Sequence, residues 1–271
     1  PDRLPDGNAL LSVAQSGATV IGPALAGTLI AVTSPAVVIA ADAASFGVGV
    51  VSLSLLAIPA ATKPAQSPWR DLADGWQVFR AQTWLWLTTV QFALFNLFTW
   101  APYLLLGPIL ARQYLGGGGA WGIIAAGYAL GSVLTGVALA GRRPRRLLVV
   151  AVSGTFGYGV PCLLLAVHAP GYAVVCGALL AGVGSEILGT YWTTAMQQRV
   201  PAQMLGRTTG FALTGAYALG SVGYAVIGTV ASLIGATPIL AFAAAYATVS
   251  SAVVLVNPAI RSVRWQASPP V

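Results

Sequence analysis

The polar side chains that could do chemistry in this sequence are few, and the clearest group of them recurs at helical spacing. Its members are Glu186, Thr190, Thr193 and Gln197. Their intervals of four, three and four residues place them on one face of a helix, over a length of about 16 Å. A carboxyl on such a polar face can take up and release a proton where water reaches it. Alternatively, Glu186 is a protonated side chain that hydrogen-bonds to a neighbouring helix.

Asp42 is the other acidic residue within a long apolar stretch, and it shares a helical face with Ser45, Gly49 and Ser52. It is a second candidate for proton binding. A structural role is the stronger expectation, in which the carboxyl of Asp42 hydrogen-bonds to backbone or hydroxyl groups across a helix pair.

Amides and aromatic rings interrupt the apolar residues of the stretch 83–110. Pro102 would permit a kink there. The candidates for lining a cavity are Gln91, Asn96, Trp100 and Tyr103, joined by Thr190 and Thr193. Such side chains suit an amphipathic organic compound. The alternative is that they are interfacial aromatic residues and interhelical hydrogen-bond partners.

Metal and nucleophile chemistry lack the residues that they need. The chain has one histidine, His168, and two cysteines, Cys162 and Cys176, which cannot assemble a zinc site of ordinary ligand count. Hydrolysis by a Ser/His pair or an aspartate pair is disfavoured as well, because the histidine lies in a short polar break and only one aspartate, Asp42, lies within a predicted span. We therefore expect no metal, no cofactor and no enzymatic activity.

The composition indicates in which environment these residues lie. Of 271 residues, 57% are hydrophobic and only 7% are charged, and the mean hydropathy is +0.80. A soluble domain carries about 25% charged residues, so this chain could not cover a water-exposed surface. Its apolar content also excludes a disordered chain. The chain therefore belongs in a lipid bilayer.

Eight apolar stretches are long enough for a membrane-spanning helix, which needs roughly 20 residues. They cover residues 9–33, 35–58, 83–110, 120–140, 147–167, 172–195, 208–233 and 237–257. The stretches are continuous and rich in Ala and Leu, whereas the strands of a β-barrel alternate. The sequence predicts an all-α polytopic membrane protein with eight transmembrane helices.

The basic residues predict the orientation of these helices. With the N-terminus in the cytoplasm, all of the 13 Lys and Arg residues except Arg112 fall on the inner side, as the positive-inside rule requires. Both ends of this chain are then cytoplasmic, in a multi-pass protein of the cell membrane. Since topology accounts for the net charge of +7, we expect no nucleic-acid partner.

Residues 67–80 differ from the membrane spans. Trp69, Leu72, Trp76 and Phe79 recur there at helical spacing among charged residues, which predicts an amphipathic helix on the inner membrane surface. An ordinary linker is the alternative. The predicted organisation has two spans in 1–58, a cytoplasmic linker in 59–82, a six-helix bundle in 83–258 and a cytoplasmic tail in 259–271.

A short internal repeat relates the two groups of spans. The matches pair Gly22, Ala24, Gly27 and Thr28 with Gly223, Ala225, Gly228 and Thr229, 201 residues further on. The two segments belong to spans that run in the same direction. Two six-helix bundles related as a parallel repeat, as in some transporters, would place them so.

Four passages resemble the major facilitator superfamily, in particular its bacterial macrolide- and siderophore-efflux permeases. They are residues 8–11 with the Gly-Pro segment 22–27, residues 42–46, the basic loop 141–146, and residues 197–207. The resemblance implies a partial major-facilitator-type fold, with the last two helices of the N-terminal bundle and the six-helix C-terminal bundle. The chain would be a C-terminal two-thirds fragment, and its partners would include the missing N-terminal helices.

The same resemblance implies a function. It suggests a secondary active transporter that exports a small amphipathic compound, such as a drug, siderophore or metabolite, by proton antiport with alternating access. Gly22 and Pro23 would act as a hinge, and Arg142 and Arg143 as gating residues, although the basic loop lacks a nearby acidic residue. The alternatives are a non-transporting membrane scaffold or sensor, or an inactive fragment of a permease.

Overall fold

The computed structural model of the protein describes residues 33–55 and 68–265. The chain divides into two compact units, Pro1–Ala65 and Gln66–Val271, and the boundary falls inside the predicted linker 59–82. The predicted first span, the hinge candidates Gly22 and Pro23, and the first copy of the repeat lie outside the described residues. The predicted count of eight spans therefore stays a prediction.

One helix, α1 (Pro35–Ser54), is described in the first unit. Ser34 has an extended backbone and Pro35 occupies the first helical position, where its fixed φ suits the helix and its missing N–H costs nothing. The helix corresponds to the predicted span 35–58. It carries Asp42, whose backbone carbonyl accepts a hydrogen bond of 2.7 Å from the Ser45 hydroxyl.

The second unit contains ten described α-helices. They are α2 (Pro68–Ala81), α3 (Thr83–Phe95), α4 (Ala101–Tyr114), α5 (Gly118–Leu139), α6 (Leu147–Gly154), α7 (Gly159–Ala166), α8 (Gly171–Arg199), α9 (Ala202–Ile234), α10 (Ala236–Val256) and α11 (Pro258–Ser262). A π-helical segment, Asn96–Trp100, joins α3 to α4, and a 3₁₀ segment, Thr155–Tyr158, joins α6 to α7. Each of these two pairs therefore forms one continuous span.

Seven helical spans within the described ranges are long and apolar enough to cross a bilayer. They are Ala36–Ser54, Thr83–Tyr114, Gly119–Leu139, Leu147–Ala166, Gly171–Arg199, Gln203–Ile234 and Ala236–Val256. They correspond to the second to eighth predicted stretches, so an all-α membrane fold is confirmed over this part of the chain. α8 and α9 extend further than predicted at the 195–208 connection, because polar residues continue a helix beyond the apolar stretch.

The π-helical segment lies just before Pro102, at the predicted site of a kink. Proline has no N–H to donate to the carbonyl four residues earlier, so the α-helical hydrogen-bond pattern loses one bond at this position. The chain instead widens by one residue in the segment Asn96–Trp100, as is common where an α-helix is interrupted. The sequence had predicted the interruption but not its form.

Glycines bring α8 into backbone contact with two neighbouring spans. A Cβ atom on Gly182 would overlap the Tyr128 carbonyl oxygen of α5, and one on Gly131 would overlap the Leu179 carbonyl oxygen of α8. Gly154 at the end of α6 and Gly184 of α8 approach each other in the same way, because a Cβ atom on either would overlap the carbonyl oxygen of the other. Such small-residue faces allow close helix packing in membranes.

The remaining packing completes a six-span arrangement. α9 packs against α3, α4 and the amphipathic-sequence helix α2, and α10 packs against α7 and α4. The buried core has one large cluster towards each end of the spans, and a small one between them formed by Phe95, Tyr158, Ala181 and Ala247.

The helix predicted in residues 67–80 is present as α2, and its apolar face is divided. Phe79 is buried, and Trp76 stacks on Phe79 and contacts Phe211 of α9, with ring centroids 5.5 and 5.7 Å apart. Trp69, at 79% exposure, and Leu72 remain uncovered. Part of the apolar face therefore holds α2 on α9, and the location of the rest on the inner membrane surface stays a prediction.

The α5–α8 contact predicts a large effect from a single methyl group. Gly182→Ala should lower the free energy of unfolding by about 1–3 kcal/mol, because the added Cβ forces the two backbones apart. The measurement is the thermal unfolding midpoint of the detergent-solubilised protein, followed by tryptophan fluorescence. Gly122→Ala on α5 is the matched control, since no atom lies within 4 Å of its Cβ position. Equal midpoints for the two variants would contradict the packing described.

Candidate functional site

A cavity of about 290 Å³ lies among α3, α6, α8 and α9 of the second unit. Its hydroxyl and amide groups come from Thr88, Thr89, Gln91, Thr155, Ser185 and Thr193, and its aromatic rings from Phe92, Tyr158, Trp192 and Tyr217. No Asp, Glu, Lys, Arg or His is among the described residues that line it. The cavity therefore offers dispersed hydrogen-bonding groups and apolar area without a formal charge.

A hydrogen bond links two walls of this cavity. The Trp192 indole Nε1 of α8 donates to the Thr88 hydroxyl of α3 at 3.2 Å. The same hydroxyl donates to the Leu85 carbonyl oxygen of its own helix at 3.0 Å. This arrangement fixes the Trp192 ring against α3 and satisfies a polar group that would be costly to leave unpaired in an apolar interior.

Thr89 presents the opposite situation on the same wall. Its hydroxyl oxygen is buried and has no hydrogen-bond partner, and a Cβ atom on Gly215 of α9 would lie 2.8 Å from its methyl carbon. A buried unsatisfied hydroxyl costs about 1–3 kcal/mol. A polar partner that reached the Thr89 hydroxyl would therefore stabilise it.

Gly189 leaves open space on the α8 side of the cavity. It lines the cavity, is exposed, and has nothing within 4 Å of its Cβ position. This distinguishes it from the packing glycines of the same helix, Gly182 and Gly184, which meet backbone atoms. A Cβ atom at Gly189, at the lining of the cavity, would therefore meet no other element.

Glu186 faces α5 instead of lining the cavity. Its Oε2 accepts from the Ser132 hydroxyl of α5 at 3.1 Å, and its Oε1 accepts from Thr190 at 3.0 Å. Gly136 leaves room for the carboxyl, since a Cβ there would stand 3.6 Å from Cδ of Glu186. Glu186 thus makes an interhelical hydrogen bond, which the sequence analysis gave as the alternative to a free proton site.

The predicted polar stripe of α8 is consequently divided between two environments. Glu186 and Thr190 are hydrogen-bonded at the α5 contact, Thr193 lines the cavity, and Gln197 is exposed. The physical reason is that α5 approaches α8 closely only at the level of its small residues and covers one part of the stripe. Spacing along one helix could not reveal where the neighbour would lie.

The candidates from residues 83–110 are also separated. Gln91 lines the cavity. Asn96 is buried and donates from Nδ2 to the carbonyl oxygens of Phe92, at 2.9 Å, and of Ala216, at 3.2 Å, so it joins the π-helical segment to α9. Trp100 and Tyr103 are not among the lining residues either.

Trp100 and Tyr103 belong to an aromatic layer together with Tyr128 and Tyr158. The Trp100 ring centroid lies 5.7 Å from those of Tyr103 and Tyr128 and 5.6 Å from that of Tyr158. Tyr158 also lines the cavity, and the Tyr128 hydroxyl donates to the Ser185 hydroxyl at 2.8 Å. The aromatic layer therefore borders the cavity. It separates the cavity from the part of the Thr83–Tyr114 span that α4 forms.

The remaining candidates within the described residues are exposed. Asp42 is exposed on α1 of the first unit. Arg142 and Arg143 are exposed in the loop between α5 and α6, where the Arg143 guanidinium lies 5.6 Å from the centroid of the Trp265 ring.

Several cavity residues were missed by the sequence analysis. Thr88, Thr89, Thr155, Ser185 and Trp192 come from three different spans, with at most two from any one of them. The usable signal was a set of small hydroxyl residues within several apolar spans. Hydroxyls are common in membrane helices because they can bond to their own backbone, as Thr155 does to Val152, so the signal is weak.

A comparison with family models gives a match over most of the chain. The model of the Major Facilitator Superfamily matches residues 1–224, well over half of the chain and parts of both units. No match to the chain was found among curated proteins or among solved structures.

The Glu186 contact predicts a site-specific loss of stability. Ser132→Ala removes the donor to Oε2 of Glu186 and leaves that oxygen without its interhelical partner, so the free energy of unfolding should fall by about 1 kcal/mol. The measurement is again the thermal unfolding midpoint in detergent. Ser153→Ala is the control, because Ser153 is exposed and donates only to Val149 of its own helix. A loss of the same size in both variants would show that the Glu186 contact contributes nothing.

Proposed function

Because the chain belongs to the Major Facilitator Superfamily, a family of membrane transporters, we propose that it exports a small amphipathic compound in exchange for protons. The observation that carries the proposal is the uncharged cavity between spans, which combines hydroxyls, an amide and aromatic rings. Such a lining suits a compound with both apolar area and hydrogen-bonding groups. The class includes drugs, siderophores and metabolites of this character.

The position of the cavity supports alternating access. Its lining residues on α3, α6 and α8 lie about 8–21 Å from the span ends that join the basic loops, at 1.5 Å of rise per residue. The aromatic layer lies on the other side of it. We propose that the layer separates the cavity from the outer face, and that rearrangement of this layer opens it to that face. The open space at Gly189 counts against a non-transporting scaffold, whose interior would be filled.

We propose Glu186 as the proton-coupling residue and Asp42 as the second candidate. The Glu186 carboxyl ties α5 to α8 through Ser132. Protonation changes the hydrogen-bonding capacity of a carboxyl from acceptor only to donor and acceptor. Since this contact lies beside the cavity and not within it, a proton can alter the α5–α8 contact without competing with substrate for the same atoms.

The finer topology belongs to the same proposal. We place the basic loops and both ends of the chain in the cytoplasm, in the cell membrane, with the chain supplying helices five to twelve of the twelve-helix plan. Gly22 and Pro23 would serve as a hinge in the fifth helix, and Arg142 and Arg143 as gating residues in the loop between the eighth and ninth. In this orientation, export is movement of the substrate from the side of the basic loops to the opposite side of the membrane.

The first test replaces the carboxyl without changing its size. Glu186→Gln should reduce proton-driven efflux by at least tenfold, because an amide cannot carry a proton through the cycle, while binding of the substrate persists. The measurement is efflux of the uncharged dye Nile red from cells, with and without a pH gradient, together with dye binding to the purified protein. Asp42→Asn is the matched variant at the second candidate position.

The two variants separate the possible results of that test. Loss of the pH dependence only in Glu186→Gln supports the assignment, and loss only in Asp42→Asn transfers the role to Asp42. Efflux that keeps its pH dependence in both variants would rule out both carboxyls as coupling sites.

The second test fills the cavity. Gly189→Phe should abolish dye binding and efflux while leaving the unfolding midpoint unchanged, because the new ring enters space that is empty. Gly228→Phe on α9 is the matched control: it too has nothing within 4 Å of its Cβ position, but it does not line the cavity. Unimpaired binding in Gly189→Phe would show that the substrate site lies elsewhere.

A further inference from the structure

The C-terminal segment gathers arginines from three parts of the second unit at one end of the spans. Arg264 pairs with Arg146 as an isolated antiparallel bridge, and the Trp265 N–H donates to the Arg145 carbonyl oxygen at 3.2 Å. From the end of α8, Arg199 Nη2 donates to the Arg264 carbonyl oxygen at 3.0 Å. With Arg143 above the Trp265 ring, these five arginines form what we call the arginine cluster.

The backbone, and not an opposing charge, holds the arginine cluster together. No ion pair joins any of the five arginines to a carboxylate among the residues in the described ranges. Glu186, an acidic side chain of this unit, is engaged with Ser132 and Thr190. Like charges held this close raise each other's energy and attract anions from the surroundings.

Most of the cluster is accessible. Arg143, Arg145, Arg146 and Arg264 are exposed, and within residues 33–55 and 68–265 no hydrogen bond uses the guanidinium of Arg145, Arg146 or Arg264. Planar guanidinium groups bind phosphate oxygens through paired N–H donors. The cluster is thus equipped to bind a phosphate group and has no partner for it within the described fold.

Its surroundings are those of a membrane interface. Trp265 is half-buried and packs against the hydrophobic cluster that also contains Phe79 of α2, so α2 lies at the same end of the spans. The exposed Trp69 and Trp76 of α2 are of the type that anchors proteins at the level of lipid headgroups. This places the arginine cluster where lipid phosphates are at their highest concentration.

We propose that the arginine cluster is a binding site for the headgroups of anionic phospholipids. The C-terminal segment builds the site, because without its pairing to residues 145–146 the arginines of the loop and of residue 264 would not be held together. The lipid neutralises the cluster and fastens the C-terminal segment to the loop between α5 and α6. Electrostatic attraction of this kind is characteristic of basic pockets next to membrane spans.

The test measures which lipid stays with the full chain. The protein is reconstituted in vesicles of equal parts phosphatidylglycerol and phosphatidylcholine, extracted in mild detergent, and examined by native mass spectrometry for retained lipid. We expect phosphatidylglycerol to be enriched over phosphatidylcholine, and the enrichment to fall about tenfold in the R143Q/R145Q/R146Q/R264Q variant. The R143K/R145K/R146K/R264K variant keeps the charge and should retain much of the enrichment. Arg112→Gln, at the opposite end, should retain all of it.

Each other outcome contradicts the proposal. Equal retention of both lipids by the unaltered protein would show that there is no selective site, and enrichment that survives the four glutamines would place it elsewhere. Displacement of phosphatidylglycerol by inorganic phosphate at equal concentration would mean that a free anion, and not a lipid, is the ligand. The lysine variant guards against misfolding, since enrichment that it retains shows that the loss in the glutamine variant comes from the missing charge.

Discussion

The backbone contacts of α8 set the geometry on which the rest of the second unit depends. α5 touches α8 where Gly131 and Gly182 lack side chains, and α6 touches it where Gly154 and Gly184 do. Helices in a bilayer gain little from the hydrophobic effect when they associate, so close packing of small residues and interhelical hydrogen bonds must hold them. Because these contacts fix α8 from two sides, its other residues can face the open cavity without collapse of the bundle.

The same constraint explains how polar groups are distributed around α8. A carboxyl in the apolar interior needs partners, and Glu186 finds them at the α5 contact, in Ser132 and in Thr190 one turn further along its own helix. Weaker polar groups, such as Ser185 and Thr193, can face the cavity. The result is a cavity whose described lining carries no formal charge, next to an ionisable side chain at the α5–α8 contact.

The sequence predicted the spans well because the bilayer requires each of them to contain roughly 20 predominantly apolar residues. It predicted the helix α2 from four apolar residues at helical spacing, and the interruption near Pro102 from the chemistry of proline. The cavity was much less accessible to prediction. Gln91 and Thr193 line it, but Asn96 joins two helices, and Trp100 and Tyr103 belong to the aromatic layer. Which of two faces of a helix meets a neighbour depends on contacts distant in sequence, such as Gly182 against Tyr128.

The π-helical segment has a mechanical consequence for the span that contains it. A π-turn accommodates one residue more than an α-turn. If the extra residue of Asn96–Trp100 is absorbed into regular helix, everything beyond it rotates by about 100° about the helix axis. The second half of the α3–α4 span can therefore rotate about the helix axis relative to the first half. Such a rotation would move the rings of Trp100 and Tyr103, while Thr88, Thr89 and Gln91 would keep their orientation.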